Sequence, residues 1–236
     1  MSDNFEDVLA KIEELKVILE SYDFSLPVPS DFDFNKVTRE CVFKMIDNVV
    51  RIESEKESLK AFLDESDFWT APASTKFHGN FKYGLSFHSI YVLKQALSFA
   101  CPLLKNFQTC RFAKQFSITA EDIFISSLAH DFCKTDFYCI EYRNTKDITG
   151  NWVKKPMYKA KGDSRNLGHG NESVLKLIKI MPSYIDNRNV LEAVSMHMGF
   201  SDISESQTYN YSNFSQNPLV LLLQLADETA AAWFDC

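Results

Sequence analysis

The sequence predicts an all-α fold: a helical bundle with a small β-hairpin insertion and an N-terminal helical extension. Three observations lead to this prediction. Apolar residues recur at spacings of three and four along most of the chain, helix-capping signals precede several of these stretches, and only two short segments alternate as strands do. With 45% apolar residues over 236 positions, the chain is long enough to bury a sizeable core.

The first 65 residues are predicted to form an acidic helical extension. Residues 2–22 have an apolar stripe at helical spacing, formed by Val8, Ile12, Leu15 and Leu19. Further helices are predicted at 36–50 and 53–63, and residues 1–70 hold 17 acidic against 8 basic side chains. The stripe is short, so we expect it to dock on its own domain, with a homo-oligomer contact as the alternative.

The second part of the chain, residues 66–236, is predicted to form the main domain. A loop precedes a helix over 89–99, which we expect to end before Pro102 because proline disrupts helix interiors. Thr119 and Asp122 are spaced as in a capping box and begin a helix that carries the adjacent pair His130 and Asp131 near its end.

The rest of the main domain alternates between a hairpin and helices. Two strands are predicted, joined by a turn over 147–151. Asn217 and Pro218 are typical of a helix start, with a cap followed by proline at the first helical position. The predicted strands are 137–143 and 152–159, and the predicted helices are 172–180, 189–197 and 219–233.

The pair His130 and Asp131 is the strongest candidate for a functional site. An ionised carboxylate in an apolar helix is costly unless a positive group meets it, and a divalent cation with a neighbouring imidazole would do so. Asp227 is a second carboxylate within an apolar helix, the last one, and would likewise need a positive partner. The alternative is a His–Asp pair that is simply hydrogen-bonded within a core.

Histidines and glycines cluster in the same region. All five histidines and all seven glycines lie between residues 78 and 199, and several are close neighbours in sequence. Glycine permits sharp turns and the close approach of a ligand. Histidine with aspartate is a common ligand set for catalytic first-row metals.

These residues resemble a known family. The series His88, His130-Asp131 and Asp227 is similar to the H…HD…D signature of the HD-domain metal-dependent phosphohydrolases, which are helical, and the fuller pattern resembles most the HD-family hydrolases of bacteria and their phages. The likeness spans about residues 66 to 233. The segments that carry it are Ala71-Pro72-Ala73-Ser74, His78-Gly79, Gly84-Leu85, His88-Ser89, His130-Asp131-x-x-Lys134, Gly168-His169-Gly170-x-Glu172-Ser173-Val174, His197-Met198-Gly199 and Pro218-Leu219 leading to Ala226-Asp227.

The resemblance implies a set of site residues. His88, His130, Asp131 and Asp227 would hold one divalent metal ion, whose bound water would attack phosphorus. His169 and His197 would bind a second metal or the substrate. Lys134 stands where several HD nucleotidases have a glutamate, and a lysine suits neutralising phosphate charge, although it could instead pair with a surface acid. His78 could contact a substrate phosphate or shape its loop. Apart from the resemblance, Arg165 is a candidate for a phosphate contact because it is the residue of the basic run nearest His169.

The function expected from this resemblance is hydrolysis of a phosphoester bond in a nucleotide or a short oligonucleotide. The sequence does not separate phosphomonoesterase, triphosphohydrolase and phosphodiesterase activities. The cofactor would be one or two divalent ions of Mn, Fe, Mg, Ni, Co or Zn. A 3′–5′ exoribonuclease, a non-catalytic module that binds or sequesters a nucleotide, and a purely structural helical protein are the alternatives.

Charge and hydropathy limit which partners the chain can have. No acidic residue occurs between Phe68 and Ala120, although six lysines and arginines do, which suits a small anionic phosphorylated substrate. The basic character is too weak for duplex DNA. Neither a leader peptide nor an apolar run of about 18 residues is present, so we expect no membrane partner and a cytoplasmic protein, in a bacterial cell or a phage-infected host.

Overall fold

The computed structural model describes residues 4–24, 34–162, 167–202 and 205–234. Within them the chain is 63% helical and contains one two-stranded antiparallel sheet. The all-α class is therefore wrong as predicted, because two nine-residue strands pair along their full length. The correct description is a mainly helical fold with a hairpin insertion.

Nine α-helices and two strands follow one another, with short 3₁₀ segments between some of them, in the part of the chain that is described. The helices are α1 (Phe5–Glu20), α2 (Phe34–Val49), α3 (Glu53–Glu65), α4 (Gly84–Phe107), α5 (Ala120–Ala129), α6 (His169–Ile180), α7 (Arg188–Met196), α8 (Glu205–Phe214) and α9 (Pro218–Phe234). The strands are β1 (Tyr138–Lys146) and β2 (Trp152–Ala160), between α5 and α6.

The core is organised around α4. This helix packs against α9 and α5, while α7 packs against α9, α6 and α5. The apolar faces of these helices join one continuous buried cluster that includes Val92, Phe124, Val194 and Leu223. Burying such side chains is the main favourable contribution to folding.

The N-terminal helices add to that same cluster. Ile12 and Leu15 on α1 are fully buried, and α1 contacts α2, α4 and α5. The expected docking of the α1 stripe on its own chain is therefore observed. The domain boundary at residue 66 stays a prediction.

The helix around Pro102 differs from the prediction. α4 runs from Gly84 to Phe107 and contains Pro102, rather than ending before it. Pro102 lies on the exposed side together with Ser98, the residue whose carbonyl loses its helical donor, so water can satisfy that carbonyl. The buried stripe continues through Ala100 and Leu104, and its packing outweighs the missing hydrogen bond.

No helix among the described residues has the length and apolarity that crossing a bilayer requires.

The hairpin forms at the predicted place, although its first strand extends to Lys146. Its turn is held by the Asp147 carboxylate, which accepts from the backbone amides of Thr149 and Asn151. α8 was not predicted from the sequence.

Candidate metal centre

His88 is placed by the tight start of α4. The helix begins at Gly84, where an added Cβ would lie only 1.9 Å from the carbonyl oxygen of Gly79, so no larger residue fits without moving the backbone. The preceding residue, Tyr83, has a φ of 80°. This packing brings the loop over the helix and sets the ring of His78 at 5.0 Å from the ring of His88.

His130 ends α5 as its C-cap. The helix begins with the predicted capping box, in which Thr119 and Asp122 each accept from the other's backbone amide. His130 Nδ1 lies 2.7 Å from the carbonyl oxygen of Ser127, which can only accept a hydrogen bond. In the neutral imidazole the Nε2 lone pair is therefore free to bind a cation, as in metal sites whose histidines are oriented by a carbonyl.

Four side chains converge on one centre. The Nε2 atoms of His88 and His130 are 3.1 Å apart. Asp131 Oδ2 lies 3.5 Å from the first and 3.4 Å from the second. Asp227 Oδ1, carried by α9, lies 3.1 Å from the His88 nitrogen and 3.9 Å from the His130 nitrogen.

Four of these five separations fit a first-row metal ion, and the fifth, between His130 and Asp227, is slightly wider at 3.9 Å. With metal–ligand distances of about 2.0–2.2 Å, neighbouring ligands of one ion lie about 3.0–3.6 Å apart. The two imidazoles and Asp131 also form a compact buried group of potential ligand atoms within 4.8 Å of one another. The structure therefore contains a buried His/Asp cluster that could hold a metal ion.

Asp131 faces a second group with its other oxygen. His169 Nε2 lies 2.5 Å from Asp131 Oδ1, and His197 Nε2 lies 3.8 Å from it. Asp131, Cys133 and His169 form another compact group of potential ligands. The carboxylate of Asp131 therefore takes part in both groups.

His197 has one nitrogen committed and one unsatisfied. Nδ1 lies 2.7 Å from the carbonyl oxygen of Val194, whereas Nε2 is buried without a hydrogen-bond partner among the described residues. Burial, with the nearby His130, lowers the pKa of His197 to about 4. A neutral imidazole with an unused buried lone pair fits a metal ligand better than the alternative of a satisfied core histidine.

The close contact of α6 with α7 brings His169 near His197. An added Cβ at Gly170 would lie 2.1 Å from the carbonyl oxygen of Ser195, so glycine is required there. The two imidazole rings are 5.4 Å apart. Gly170 thus has a structural reason to follow His169, and Gly168 has one to precede it, since its φ is 86°.

Lys134 lies inside the centre rather than at the surface. Its Nζ is 2.6 Å from Asp131 Oδ2, and the residue is 8% exposed. The spacing of four from His130 predicts that Lys134 shares a helix face with it, but α5 ends at Ala129 and Lys134 belongs to a separate 3₁₀ turn over Phe132–Lys134. Its partner is a buried acid of the site, so the surface-acid alternative is wrong.

The electrostatics of the centre favour cations. Burial alone would favour neutral acids, yet the charges of Lys134, His130 and His169 hold the pKa of Asp131 well below its usual range. Burial also opposes ionisation of Asp227, but a hydrogen bond from His88 and nearby histidines lower its pKa. Both carboxylates therefore stay ionised.

The histidines beside these carboxylates respond in the opposite sense. Although burial disfavours the imidazolium, the charge of Asp131 and a hydrogen bond to it raise the pKa of His169 to about 10. The pKa of His130 is also raised, because Asp131 and Asp227 outweigh burial. Positive charge is stabilised at this centre whether a proton or a metal ion supplies it.

A cleft of about 580 Å³ opens onto the centre. His78 and Lys134 line it, together with several residues that sequence reasoning missed. Burial lowers the pKa of His78 to about 4, so this imidazole is neutral at pH 7. Met198 and Gly199, which the sequence indicated only as neighbours of His197, also line the cleft, and the missed lining residues are Phe200, Ser201, Tyr211, Gln224, Glu228 and Ala231.

Of the missed residues, Gln224 could have been predicted from the sequence as part of the site. It precedes Asp227 by three positions on α9, so helical spacing places the two on one face. Its amide nitrogen donates to the carbonyl oxygen of Met196, and its oxygen accepts from the hydroxyl of Tyr211. Tyr211 itself lies on α8, which no sequence pattern indicated.

Eight of the nine predicted site residues lie at or beside this centre. His88, His130, Asp131 and Asp227 meet directly, His169 and His197 flank Asp131, and Lys134 and His78 line the cleft. The remaining candidate, Arg165, lies outside the described residues.

The chain was also compared with known proteins. No family model, curated protein or solved structure matches it. The likeness to HD-domain hydrolases therefore stays a prediction.

Proposed function

We propose that the chain is a metal-dependent phosphohydrolase that cleaves a phosphoester bond of a nucleotide or a short oligonucleotide. The observation that carries the proposal is the convergence of His88, His130, Asp131 and Asp227 within 3.1–3.9 Å contacts at the wall of an open cleft. The same four residues form the H…HD…D series on which the family resemblance rests.

The ligand types favour a first-row divalent metal, such as Mn, Fe, Co, Ni or Zn, over an all-oxygen cation site. His88, His130, Asp131 and Asp227 would hold the first ion, with His169 and His197 available for a second. When bound, a divalent ion would supply a coordinated water of lowered pKa and would polarise a phosphoryl oxygen.

The chain's own residues provide the rest of the chemistry. Lys134 Nζ lies beside Asp131, where an ammonium group would neutralise charge that develops on the phosphoryl oxygens. His78 is neutral at pH 7 and lines the cleft, so it can exchange a hydrogen bond with a phosphate without adding charge. The cleft admits a nucleotide-sized ligand, since small-molecule sites typically measure about 300–1,000 Å³.

The test combines metal content with product release. Asp227 is the best ligand to replace, because its side chain is partly exposed, at 14%, and lies on the single helix α9. Asp131 is a poorer choice, because its loss would leave the buried Lys134 charge unpaired at a cost of about 3–5 kcal/mol. We expect Asp227→Asn to lose metal, measured by elemental analysis after dialysis, and to lose phosphate or nucleoside release.

The matched control is Asp186→Asn, an exposed acid that does not line the cleft. It should keep both metal and activity. The substrate panel comprises nucleoside mono- and triphosphates, cyclic nucleotides and short oligonucleotides, each with manganese present. Equal turnover by wild type and Asp227→Asn would refute the proposed centre.

A second candidate is a nucleotide-binding module without turnover. Lys134 favours it, because its ammonium already contacts the Asp131 oxygen that faces His88 and His130 and so competes with a metal ion. Thermal stabilisation by a nucleotide, with no product formed from any member of the panel, would support this candidate over hydrolysis.

A further inference from the structure

We propose that one face of the β1–β2 hairpin binds single-stranded nucleic acid. In an antiparallel pair, residues directly opposite each other point to the same side of the sheet. The register therefore sorts the hairpin into two faces. The aromatic face consists of Tyr138, Ile140, Tyr142, Asn144 and Lys146 on β1, with Trp152, Lys154, Pro156, Tyr158 and Ala160 opposite them on β2.

The composition of the aromatic face is the first reason for the proposal. It holds all four aromatic side chains of the two strands, which the structure describes in full, and no acidic residue. The opposite face holds the only strand acid, Glu141, which is paired with Arg143 at 3.0 Å and with Lys159 at 3.6 Å. On that face the acid thus pairs with two of the three basic side chains, whereas Lys146 and Lys154 share the aromatic face with no acid.

Exposure is the second reason. Tyr142 is 67% and Trp152 is 69% exposed, and Ile140 is 57% exposed. Contact with water does not stabilise such large apolar side chains, and contiguous exposed apolar patches commonly mark interaction sites. Tyr142 and Trp152 are thus outside the packed core, while Tyr138 and Tyr158 at the base of the same face are half-buried.

Charge identifies the partner. The aromatic face carries two of the five basic side chains of residues 138–160, Lys146 and Lys154, and neither of the two acidic ones, within a chain of net charge −7. Lys146 Nζ lies 5.4 Å from the centre of the Trp152 ring, so a cation stands beside an exposed stacking surface. Proteins that bind single strands combine aromatic platforms for the bases with cations for the phosphates.

A single strand fits better than a duplex. The bases of a duplex are already stacked on each other, so exposed tyrosine and tryptophan rings would have no base faces to meet. Each nine-residue strand spans about 30 Å at roughly 3.3 Å per residue, enough for several nucleotides.

The base of the aromatic face lies close to the candidate metal centre. The hydroxyl of Tyr138 lies 3.4 Å from the carbonyl oxygen of Ala73, in the loop that leads to His78. β1 also follows the turn that carries Lys134 by only a few residues. A single-stranded nucleic acid bound along the aromatic face would therefore have one end beside the cleft.

Binding is measured without turnover, so this proposal is tested separately from the proposed hydrolysis. The probe is a fluorescein-labelled 12-nucleotide single strand of mixed sequence, titrated with the full chain in EDTA and followed by anisotropy. Trp152→Ala should weaken binding by about 5- to 150-fold, the range found when one stacked base loses its aromatic partner. Trp152→Phe should restore most of the affinity.

Neighbouring lysines on opposite faces provide a matched pair. Lys154→Glu, on the aromatic face, should weaken binding and lower the salt slope by about 0.7 for each phosphate that the protein no longer neutralises. Lys155→Glu makes the same charge change on the other face and should stay within about twofold of wild type, because exposed charges are screened over about 10 Å. Equal effects of the two variants would overturn the assignment of the face.

The other possible occupants of the hairpin are outcomes of the same experiment. No binding of the single strand, together with concentration-dependent dimerisation that Trp152→Ala abolishes, would assign the face to a second copy of the chain. Binding to anionic lipid vesicles in place of the oligonucleotide would assign it to a membrane surface. Either result would overturn the proposal.

Discussion

The ammonium of Lys134 lies 2.6 Å from Oδ2 of Asp131, and both residues are buried. The same carboxylate receives His169 on its other oxygen at 2.5 Å. Asp131 therefore has a cationic partner on each side. We infer that Lys134 serves to neutralise charge and is not needed to retain a metal ion.

Replacing Lys134 should reduce turnover without removing the metal. Lys134→Met keeps most of the side-chain volume and removes the charge that would stabilise phosphoryl oxygens in the transition state. We expect turnover to fall about 10²- to 10³-fold, measured as product release under saturating substrate, while metal content per chain does not fall. Lys179→Met, at an exposed position of α6, is the control. Loss of metal together with activity would contradict this division of roles.

Metal binding should stabilise the fold. An ion at 100 times its Kd adds about 2.7 kcal/mol, which corresponds to a rise in Tm of about 5 to 10 °C for a chain of this length. Differential scanning fluorimetry of chelated protein with and without added manganese measures the shift. Asp227→Asn should lose it, and a shift of the same size in that variant would place the ion elsewhere.

Gly84→Ala should disturb both stability and the centre. The added methyl group would meet the backbone carbonyl of Gly79 at 1.9 Å, and backbone cannot yield as a flexible side chain can. We expect a loss of about 3 kcal/mol in urea unfolding, with reduced metal content because His88 lies one turn further along α4. Gly162→Ala has open space around it and should change stability by less than about 0.5 kcal/mol. Equal stability of the two variants would contradict the close-packing argument.

The link between the N-terminal helices and the loop before α4 should depend on pH. Asp64 accepts from Arg39 at 2.8 and 2.6 Å and from Trp69 at 3.1 Å, and the Arg39 hydrogen bonds in particular lower its pKa. Because folding lowers this pKa, the stabilisation is fully present above the unfolded value of about 3.9 and disappears as the pH falls through the folded-state value.

Comparing urea unfolding of wild type and Asp64→Asn at pH 7 and pH 3 tests this dependence. The side chain is 39% exposed, so the difference at pH 7 should be about 1 kcal/mol or less after screening, and it should shrink at pH 3. Glu65→Gln, the exposed neighbour, is the control. A difference that is the same at both pH values would show that Asp64 acts through something other than its charge.

Much of the fold was predictable from local signals. The capping box at Thr119, the turn at Asp147 and the Asn217-Pro218 start of α9 each rest on residues within one turn of each other, and all three are observed. Pro102 was misjudged because its effect depends on which side of α4 faces solvent. That orientation is set by tertiary packing, which local sequence does not contain.

The site was predictable only as a set of residue types. The order of His88, His130, Asp131 and Asp227 indicated metal chemistry, but it could not show that Ser127 and Val194 carbonyls would orient His130 and His197. Nor could helical spacing place Lys134, because α5 ends before it and a 3₁₀ turn redirects the chain toward Asp131. Such contacts depend on where a helix stops, which is the least determined property of a sequence pattern.

The ligands of the centre come from separate helices, with His88 on α4, His130 and Asp131 after α5, and Asp227 on α9. None of these segments carries enough ligands to bind an ion tightly by itself. A growing chain on the ribosome therefore cannot complete its coordination sphere until α9 has emerged and docked on α4. In the proposed enzyme, metal loading would follow folding rather than nucleate it, so the supply of metal would determine how much folded protein is active, not how fast it folds.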